Sequence, residues 1–289
     1  MKVITKRNEL INTMKEVSHQ SLGLVPTMGN LHAGHMSLLE SALNDCQQVV
    51  LTIFVNPKQF SANEDLSTYP RTPQEDLDKI KETAGNRAND IIVFMPEGNA
   101  EVYPPGFNTT ISVSGITEKL CGKSRPTHFA GVTTVVYQLF TLINPARAYF
   151  GQKDYQQVCV IRKMAQDLNL NIDIKTVPII REESGLALSS RNGYLSNEEK
   201  EIALNLPTKL EVIESLLKFN TWVDAGAQLN EILESTLIDK AWDYLDILDS
   251  KTLEDVDQNT KEVVIAGAYF VGDRPTRIID NRLVEITYA

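Results

Sequence analysis

Cysteine is scarce in this chain: three in 289 residues, Cys46, Cys121 and Cys159. An odd number without paired spacing argues against a disulfide framework and fits a reducing, cytoplasmic setting. Long apolar runs are missing too. The longest, Val49–Val55, is interrupted by Thr52 and is too short to span a bilayer. The first residues include Lys2, Lys6, Arg7 and Glu9, where a secretory signal needs an apolar stretch. Positive charge is in deficit, with 28 Lys+Arg against 38 Asp+Glu. Residues 1–190 hold 18 basic and 19 acidic side chains, whereas residues 191–289 hold 10 and 19. Neither region offers the basic field that nucleic acid or an anionic membrane needs, so neither partner is expected.

What remains is a chain with 42% hydrophobic residues, enough for a sizeable core. Leu22–Pro26, Val49–Val55, Asp90–Met95, Ala148–Phe150 and Ile172–Ile180 read as strands. Between them lie helical patterns at about His35–Asn44, Pro73–Thr83, Phe129–Ile143 and Tyr155–Leu168. Thr109–Val113 alternates weakly, as an excursion. Alternating strands and helices predict a Rossmann-like parallel sheet, an α/β fold, over residues 1–180. A polar segment, Arg181–Asn197, then leads to helices Glu198–Leu217 and Trp222–Leu237 and strands Tyr244–Leu248, Glu262–Phe270 and Arg277–Ile286. Residues 181–289 are therefore expected to form a smaller α+β domain.

The stretch Pro26-Thr27-Met28-Gly29-Asn30-Leu31-His32-Ala33-Gly34-His35 follows what reads as the first strand and opens a helix. Ligands of open α/β sheets bind at the carboxyl ends of strands. Free N–H groups at a helix start suit phosphate. Two histidines three apart on the first turn share a face and can reach one phosphate. Gly34 removes bulk between them. Imidazoles there can stabilise charge developing in nucleotidyl transfer. The plainer alternative is a capped helix start with exposed histidines, but this turn holds two of only four histidines in the chain. A zinc site would need further ligands, and Cys46 alone is near in sequence. Gly122-Lys123-Ser124 imitates a Walker loop but has Thr117 where that motif needs glycine.

H-x-G-H after a strand resembles the nucleotidyltransferase superfamily. Longer strings narrow the resemblance: Thr52–Phe60, Tyr69-Pro70-Arg71-Thr72, Arg125–Val132, Tyr149–Gln157, Leu186–Asn192 and Arg277-Ile278-Ile279-Asp280-Asn281 are similar, in order, to the pantoate–β-alanine ligase family. That family's reaction is implied: pantoate and ATP give pantoyl adenylate and pyrophosphate, and β-alanine then displaces AMP to give pantothenate. ATP as substrate, Mg²⁺ held mainly through phosphates, and a homodimer are implied with it.

The resemblance also implies roles. Met28, Gly29, Asn30, Leu31, His32, Ala33, Gly34 and His35 would bind ATP, with His32 and His35 on phosphate and His35 as proton donor. Gly151, Gln152, Lys153 and Asp154, with Ile180, Leu188, Ser189, Ser190 and Arg191, would complete the ATP contacts. Of these, Lys153, Ser189, Ser190 and Arg191 are expected to be catalytic, clamping phosphates in a segment that closes over ATP. Asn56, Gln59 and Gln157 would bind pantoate, and Gln59 β-alanine as well. Asp76 or Asp154 can help hold Mg²⁺, with no metal ligand certain. Apolar Val132–Leu142 can be interface or core.

The chain departs from the family pattern at Cys121 (often Glu), Thr127 (often Gly) and Gln152 (often Glu). These touch loop details rather than the reaction, and adenylate chemistry needs no cysteine nucleophile. Another small nucleotidyltransferase would share H-x-G-H without the strings around Gln59 and Lys153. A tRNA synthetase would need a basic RNA-binding region. A non-catalytic nucleotide-binding module need not keep both histidines.

Overall fold

Aliphatic and β-branched runs such as Gln48–Ile53 and Ile91–Phe94 form strands with both faces buried, as a parallel sheet covered by helices requires. The computed structural model describes residues 1–61, 64–273 and 275–289. The chain begins with β1 (Lys2–Ile4), α1 (Arg7–Met14), β2 (Leu22–Thr27), α2 (Ala33–Asp45), β3 (Gln48–Ile53), α3 (Pro73–Ala84) and β4 (Ile91–Phe94). It continues with α4 (Leu120–Ser124), α5 (His128–Ile143), β5 (Arg147–Gly151), α6 (Tyr155–Asp167) and β6 (Asp173–Val177). The last elements are α7 (Asn197–Ala203), α8 (Asn205–Phe219), α9 (Trp222–Thr236), β7 (Trp242–Asp249), β8 (Glu262–Val271) and β9 (Thr276–Glu285).

Two compact units result. Unit 1 comprises Met1–Ser114, Arg125–Gln152 and Val160–Pro178; unit 2 comprises Gly115–Ser124, Lys153–Cys159 and Ile179–Ala289. Unit 1 is built on a six-stranded sheet in the order β1-β4-β3-β2-β5-β6, with every neighbouring pair parallel. From β2 the order runs outward through β3 and β4 on one side and through β5 and β6 on the other. The reversal between β2 and β5 is the topological switch point of a Rossmann-like sheet. Val25, Leu39, Leu51, Ile80 and Val93 fill one of its apolar layers without exposure to solvent. The Val132–Leu142 stretch of α5 is largely core: Val132, Val136, Leu139 and Phe140 are buried within the chain.

Unit 2 has an antiparallel sheet, β7-β8-β9, with α8 packed across it. Leu206, Leu210, Ile213 and Leu217 of α8 meet Leu245, Val263 and Ile265 of the strands. The α/β sheet and smaller α+β unit are the fold class expected from the sequence.

Two details differ from the sequence reading. Lys2–Ile4 adds an edge strand, so the strand before the histidines is the second in the chain. It was too short to announce itself, and its only buried side chain is Ile4. The helix expected over Glu198–Leu217 breaks at Leu204 into α7 and α8. Pro207 explains the break: it cannot donate to the Ala203 carbonyl, and its ring crowds that oxygen. Cys121 lies buried in the short helix α4. Among the described residues, no helix is long and apolar enough to cross a membrane.

Candidate active site

In unit 1 the chain turns sharply as it leaves β2. Gly29 adopts φ +83°, and a Cβ there would lie 3.0 Å from Ile53 Cγ2 and 3.1 Å from Asp76 Oδ2, so glycine is required twice over. Asn30 also has positive φ, 50°, a conformation asparagine tolerates. The turn is held by Asp76 in the first turn of α3, whose carboxylate is buried. Its Oδ2 accepts from Asn30 N–H at 3.0 Å and its Oδ1 from Leu31 N–H at 2.7 Å. Thr72 Oγ1 donates to Oδ1 at 3.1 Å, and Lys79 Nζ donates to the Leu31 carbonyl at 2.8 Å. Asp76, expected as one of two possible aids to Mg²⁺, thus has a structural task in this turn. Its oxygens are engaged by the main chain 45 and 46 residues upstream.

Leu31 is buried and ends the turn. His32 is the N-cap of α2 with φ −132° and ψ 177°, so it precedes the helix rather than sitting on its first turn. His32 Nδ1 accepts from Gly34 N–H at 3.1 Å, and His35 Nδ1 accepts from His32 N–H at 3.3 Å. This reciprocal arrangement is a capping box built from two imidazoles. A neutral ring that accepts at Nδ1 carries its proton on Nε2, so helix capping also selects the tautomer. The ring centroids are 4.1 Å apart. Gly34 is needed beneath them, because a Cβ there would approach His32 Cε1 to 2.9 Å. Ala33 is exposed at the start of the helix.

After β3 comes a short helical turn, Pro57–Gln59, capped by Asn56. Asn56, expected to bind pantoate, is 1% exposed. Its Nδ2 donates to Gln59 Oε1 at 3.0 Å and to the Gly131 carbonyl at 3.1 Å. Its Oδ1 accepts from Lys58 N–H at 3.2 Å and Tyr103 O–H at 2.8 Å. Burial pushes the Tyr103 phenol up, keeping it a donor. Asn56 therefore orients Gln59. Gln59 Nε2 contacts Met28 Sδ at 3.1 Å, which brings these two predicted residues together. The turn also lies against α5. A Cβ on Gly131 would be 2.2 Å from the Lys58 carbonyl oxygen, and His128 Nδ1 meets the Gln59 carbonyl at 2.9 Å. Tyr103 and Gly131 were assigned no role from sequence. Gly131 stood in a string of the resemblance, whereas nothing local marked Tyr103. Gly151 ends β5 and Gln152 follows it, and a Cβ on Gly151 would meet nothing within 4 Å.

In unit 2, Lys153 is paired with Asp154 at 3.7 Å, its side chain 20% exposed. The Lys153 carbonyl accepts from Asn281 Nδ2 at 3.0 Å. Gln157 is half-buried on α6. Its neighbour Gln156 is packed, donating from Nε2 to the Ile116 and Lys119 carbonyls at 2.8 and 2.7 Å. Ile180 accepts from Leu188 N–H at 2.9 Å, closing the intervening segment into a loop. Ser189 Oγ accepts from Arg191 N–H at 3.2 Å and caps a short helical turn, Ser190–Tyr194. Leu188, Ser189, Ser190 and Arg191 are all half-buried. Cys121 Sγ lies 3.2 Å from Tyr244 O–H and accepts from Arg277 at 3.5 Å, the surroundings of a packed thiol.

The capped histidine pair sits at the carboxyl end of β2, beside the switch point. Such an arrangement can set two imidazole donors beside a phosphate as its charge builds. Comparison with known proteins agrees with this chemistry. The family model for pantoate-beta-alanine ligase matches residues 2–283. Pantothenate synthetase of Acetivibrio thermocellus is 46% identical over 288 residues, covering 99% of each chain. That of Moorella thermoacetica is 46% identical over 271 residues, covering 92% of each. Among solved structures, the pantothenate synthetase of Thermus thermophilus superposes with a TM-score of 0.83 at 37% identity, covering 98% of this chain and 99% of that one. The pantoate-beta-alanine ligase of Francisella tularensis, complexed with beta-gamma ATP and beta-alanine, has a TM-score of 0.73 at 31% identity, covering 98% and 97%. The switch-point histidines, the strings that follow three parallel strands and full-length similarity lead to one conclusion: the chain belongs to the pantoate–β-alanine ligase family.

Proposed function

We propose that the chain joins pantoate to β-alanine with ATP in two steps. In the first, a pantoate carboxylate oxygen attacks the α-phosphorus, and the bond from that phosphorus to its bridging oxygen breaks. Pyrophosphate leaves and pantoyl adenylate forms. In the second, the β-alanine amine attacks the acyl carbon, AMP leaves with the C–O bonding pair, and the amine gives up a proton. The observation that carries this reading is the reciprocal capping of His32 and His35, in which each ring accepts a main-chain N–H at Nδ1.

In this reading His32 and His35 donate from Nε2 to phosphate oxygens as charge builds on them. Met28, Gly29, Asn30, Leu31, Ala33 and Gly34 supply the turn along which the nucleotide lies. Gln59 binds pantoate, and β-alanine near it, through an amide oriented by Asn56. Gln157 is the second pantoate amide. A neutral amide holds a carboxylate without competing for the electron pair that must attack. Gly151, Gln152, Lys153, Asp154, Ile180 and Leu188 complete the nucleotide contacts. Lys153, Ser189, Ser190 and Arg191 hold the departing pyrophosphate.

Mg²⁺ is expected to accompany the triphosphate and to screen its charge when bound. Among the described residues, no three His, Cys, Asp or Glu side chains gather as a cage. This donor set suits an ion carried on phosphates and water, to which half-exposed Asp154 can add a ligand. The working form is expected to be a cytoplasmic homodimer.

Pyrophosphate release tests the proposal. With pantoate and ATP alone, the burst should reach about one equivalent per site, because a sequestered adenylate is shielded from water. Adding β-alanine should give sustained turnover. Release that begins only after β-alanine is added would replace the two-step scheme with a concerted one. Release with nicotinamide mononucleotide, and none with pantoate, would overturn the substrate assignment.

A further inference from the structure

The string Arg277–Asn281 lies on β9, and two of its residues have polar side chains buried deep in unit 2. Asp280 and Asn281 are 3% and 2% exposed. Neighbours on a strand point to opposite faces, so the two side chains serve different partners. Asp280 Oδ2 accepts from Arg181 NH1 at 2.6 Å and its Oδ1 from Arg181 NH2 at 2.9 Å, a two-point fork. Arg181 NH1 also donates to the Gly185 carbonyl at 3.0 Å. Asn281 Nδ2 donates to the Lys153 carbonyl at 3.0 Å.

We infer that Asp280 and Asn281 are positioning residues for the phosphate contacts, holding the Arg181–Asn192 segment and Lys153 in register from adjacent places on one strand. The inference rests on the reading above, in which Lys153 and Ser189–Arg191 meet ATP. Their burial needs a reason beyond stability, since a buried ion pair stabilises a fold no better than well-packed apolar side chains. The path from Asp280 to the serines is continuous. Arg181 is bridged antiparallel to Ala187. Glu182 N–H donates to the Leu186 carbonyl at 2.8 Å, and Asn192 Nδ2 donates to the Ala187 carbonyl at 3.0 Å. Fixing the guanidinium therefore fixes both strands of the small loop that ends in Ser189-Ser190-Arg191. On the other face, holding the Lys153 main chain leaves its ammonium at the end of a short lever.

The test combines Asn281→Ala, Asn281→Asp and Asp280→Asn with double-mutant cycles against Lys153→Ala and Arg191→Ala. Two readouts are used: pantoate-dependent ATP–pyrophosphate exchange, and calorimetric titration with α,β-methylene-ATP. Each single variant should weaken the analogue and slow exchange by about tenfold, leaving KM for pantoate within about twofold. On the Lys153→Ala background, Asn281→Ala should add less than about threefold, because the contact it supports is already gone. Asp280→Asn should behave likewise on the Arg191→Ala background. Fully additive losses, equal damage to pantoate and ATP, or unchanged nucleotide affinity in a folded variant would overturn the inference. So would unfolding of every Asn281 variant, which would make the residue a support of the fold alone. If wild type shows no pantoate-dependent exchange, the reaction reading fails instead, and the analogue titration still decides whether β9 positions the nucleotide contacts.

Discussion

The phosphate segments proposed in the two units are anchored in contrasting ways. In unit 1, one buried carboxylate, Asp76, receives main-chain N–H groups, and the imidazoles cap a helix from within their own turn. In unit 2, the Arg181–Asn192 segment hangs on side-chain charge. Arg181 meets Asp280, and Lys200 reaches Glu182 at 3.3 Å. Main-chain donors cannot titrate and have few ways to move, whereas arginine and lysine lose rotamer freedom to hold one geometry. The turn after β2 is thus a cradle gripped through its main chain, and the loop of unit 2 a clamp gripped through long side chains.

Substitutions test how far this contrast extends. The largest effect is expected at the cradle: His35→Ala should slow adenylate formation by about 10²–10³-fold, as removal of a preorganised donor does elsewhere. Rapid-quench measurement checks this. His19, which contacts the Asn144 carbonyl at 3.1 Å, should be replaceable without such a loss. Next, Arg181→Ala leaves the Asp280 carboxylate buried without its ion partner and should cost about 3–5 kcal/mol. Asp76→Ala strands two main-chain donors instead and should cost roughly 2–4 kcal/mol. Urea unfolding followed by tryptophan emission isolates the first of these, because Trp222 and Trp242 both belong to unit 2. Similar costs reported by the same probe would erase the distinction between cradle and clamp. Gly131→Ala, whose methyl would strike the Lys58 carbonyl, should cost about 1–3 kcal/mol and raise KM for pantoate more than for ATP.

Acid tests both units. Glu64 in unit 1 is half-buried. Burial works to raise its carboxyl, but hydrogen bonds and charge from Arg125, with Ser61 N–H, leave it net below the ordinary value of 4.5. Glu214 in unit 2 is likewise lowered: burial opposes ionisation, and Lys218 and Arg282 outweigh it. A depressed folded pKa adds stability that is present above the ordinary value and is lost as pH falls through the folded one. Stability should therefore fall on acidification below about pH 4.5. Glu64→Gln should flatten that limb in far-UV circular dichroism, and Glu214→Gln should flatten it in tryptophan emission. The smallest effect is expected at the exposed Lys175–Asp173 pair, where Asp173→Asn should change stability by about 0.5 kcal/mol or less.

The parallel sheet was legible because its strands carry a local signature, β-branched runs such as Gln48–Ile53. The helix-start histidines were legible for a similar reason: motif, turn and following helix lie close together in the chain. Three-residue β1 has too few buried side chains to leave a pattern, and the break at Leu204 required weighing Pro207 against a strong helical period. The hold on Asn56 was not legible, because its partners Tyr103 and Gly131 lie 47 and 75 residues away. An amide after a strand looks the same in sequence whether it faces a ligand or its own core. Asp76 posed the same problem: its acidic character was visible, but not that it folds back onto Leu31. What the sequence conceals in both cases is long-range hydrogen bonding, which has no period.

The interleaved chain path also bears on how the protein is made. By Pro178 every strand of the unit 1 sheet has been synthesised, yet Leu120, Tyr155 and Cys159 have already emerged as well. Their apolar partners Leu248, Leu253 and Val264 come much later in the chain. A nascent chain thus carries an uncovered greasy patch while the ribosome completes the remaining third, and that interval is the window in which a chaperone is most useful. For the same reason, Ile179–Ala289 produced by itself would bare Leu248 and Val264, so a soluble second unit calls for grafting Gly115–Ser124 and Lys153–Cys159 rather than cutting at a single bond.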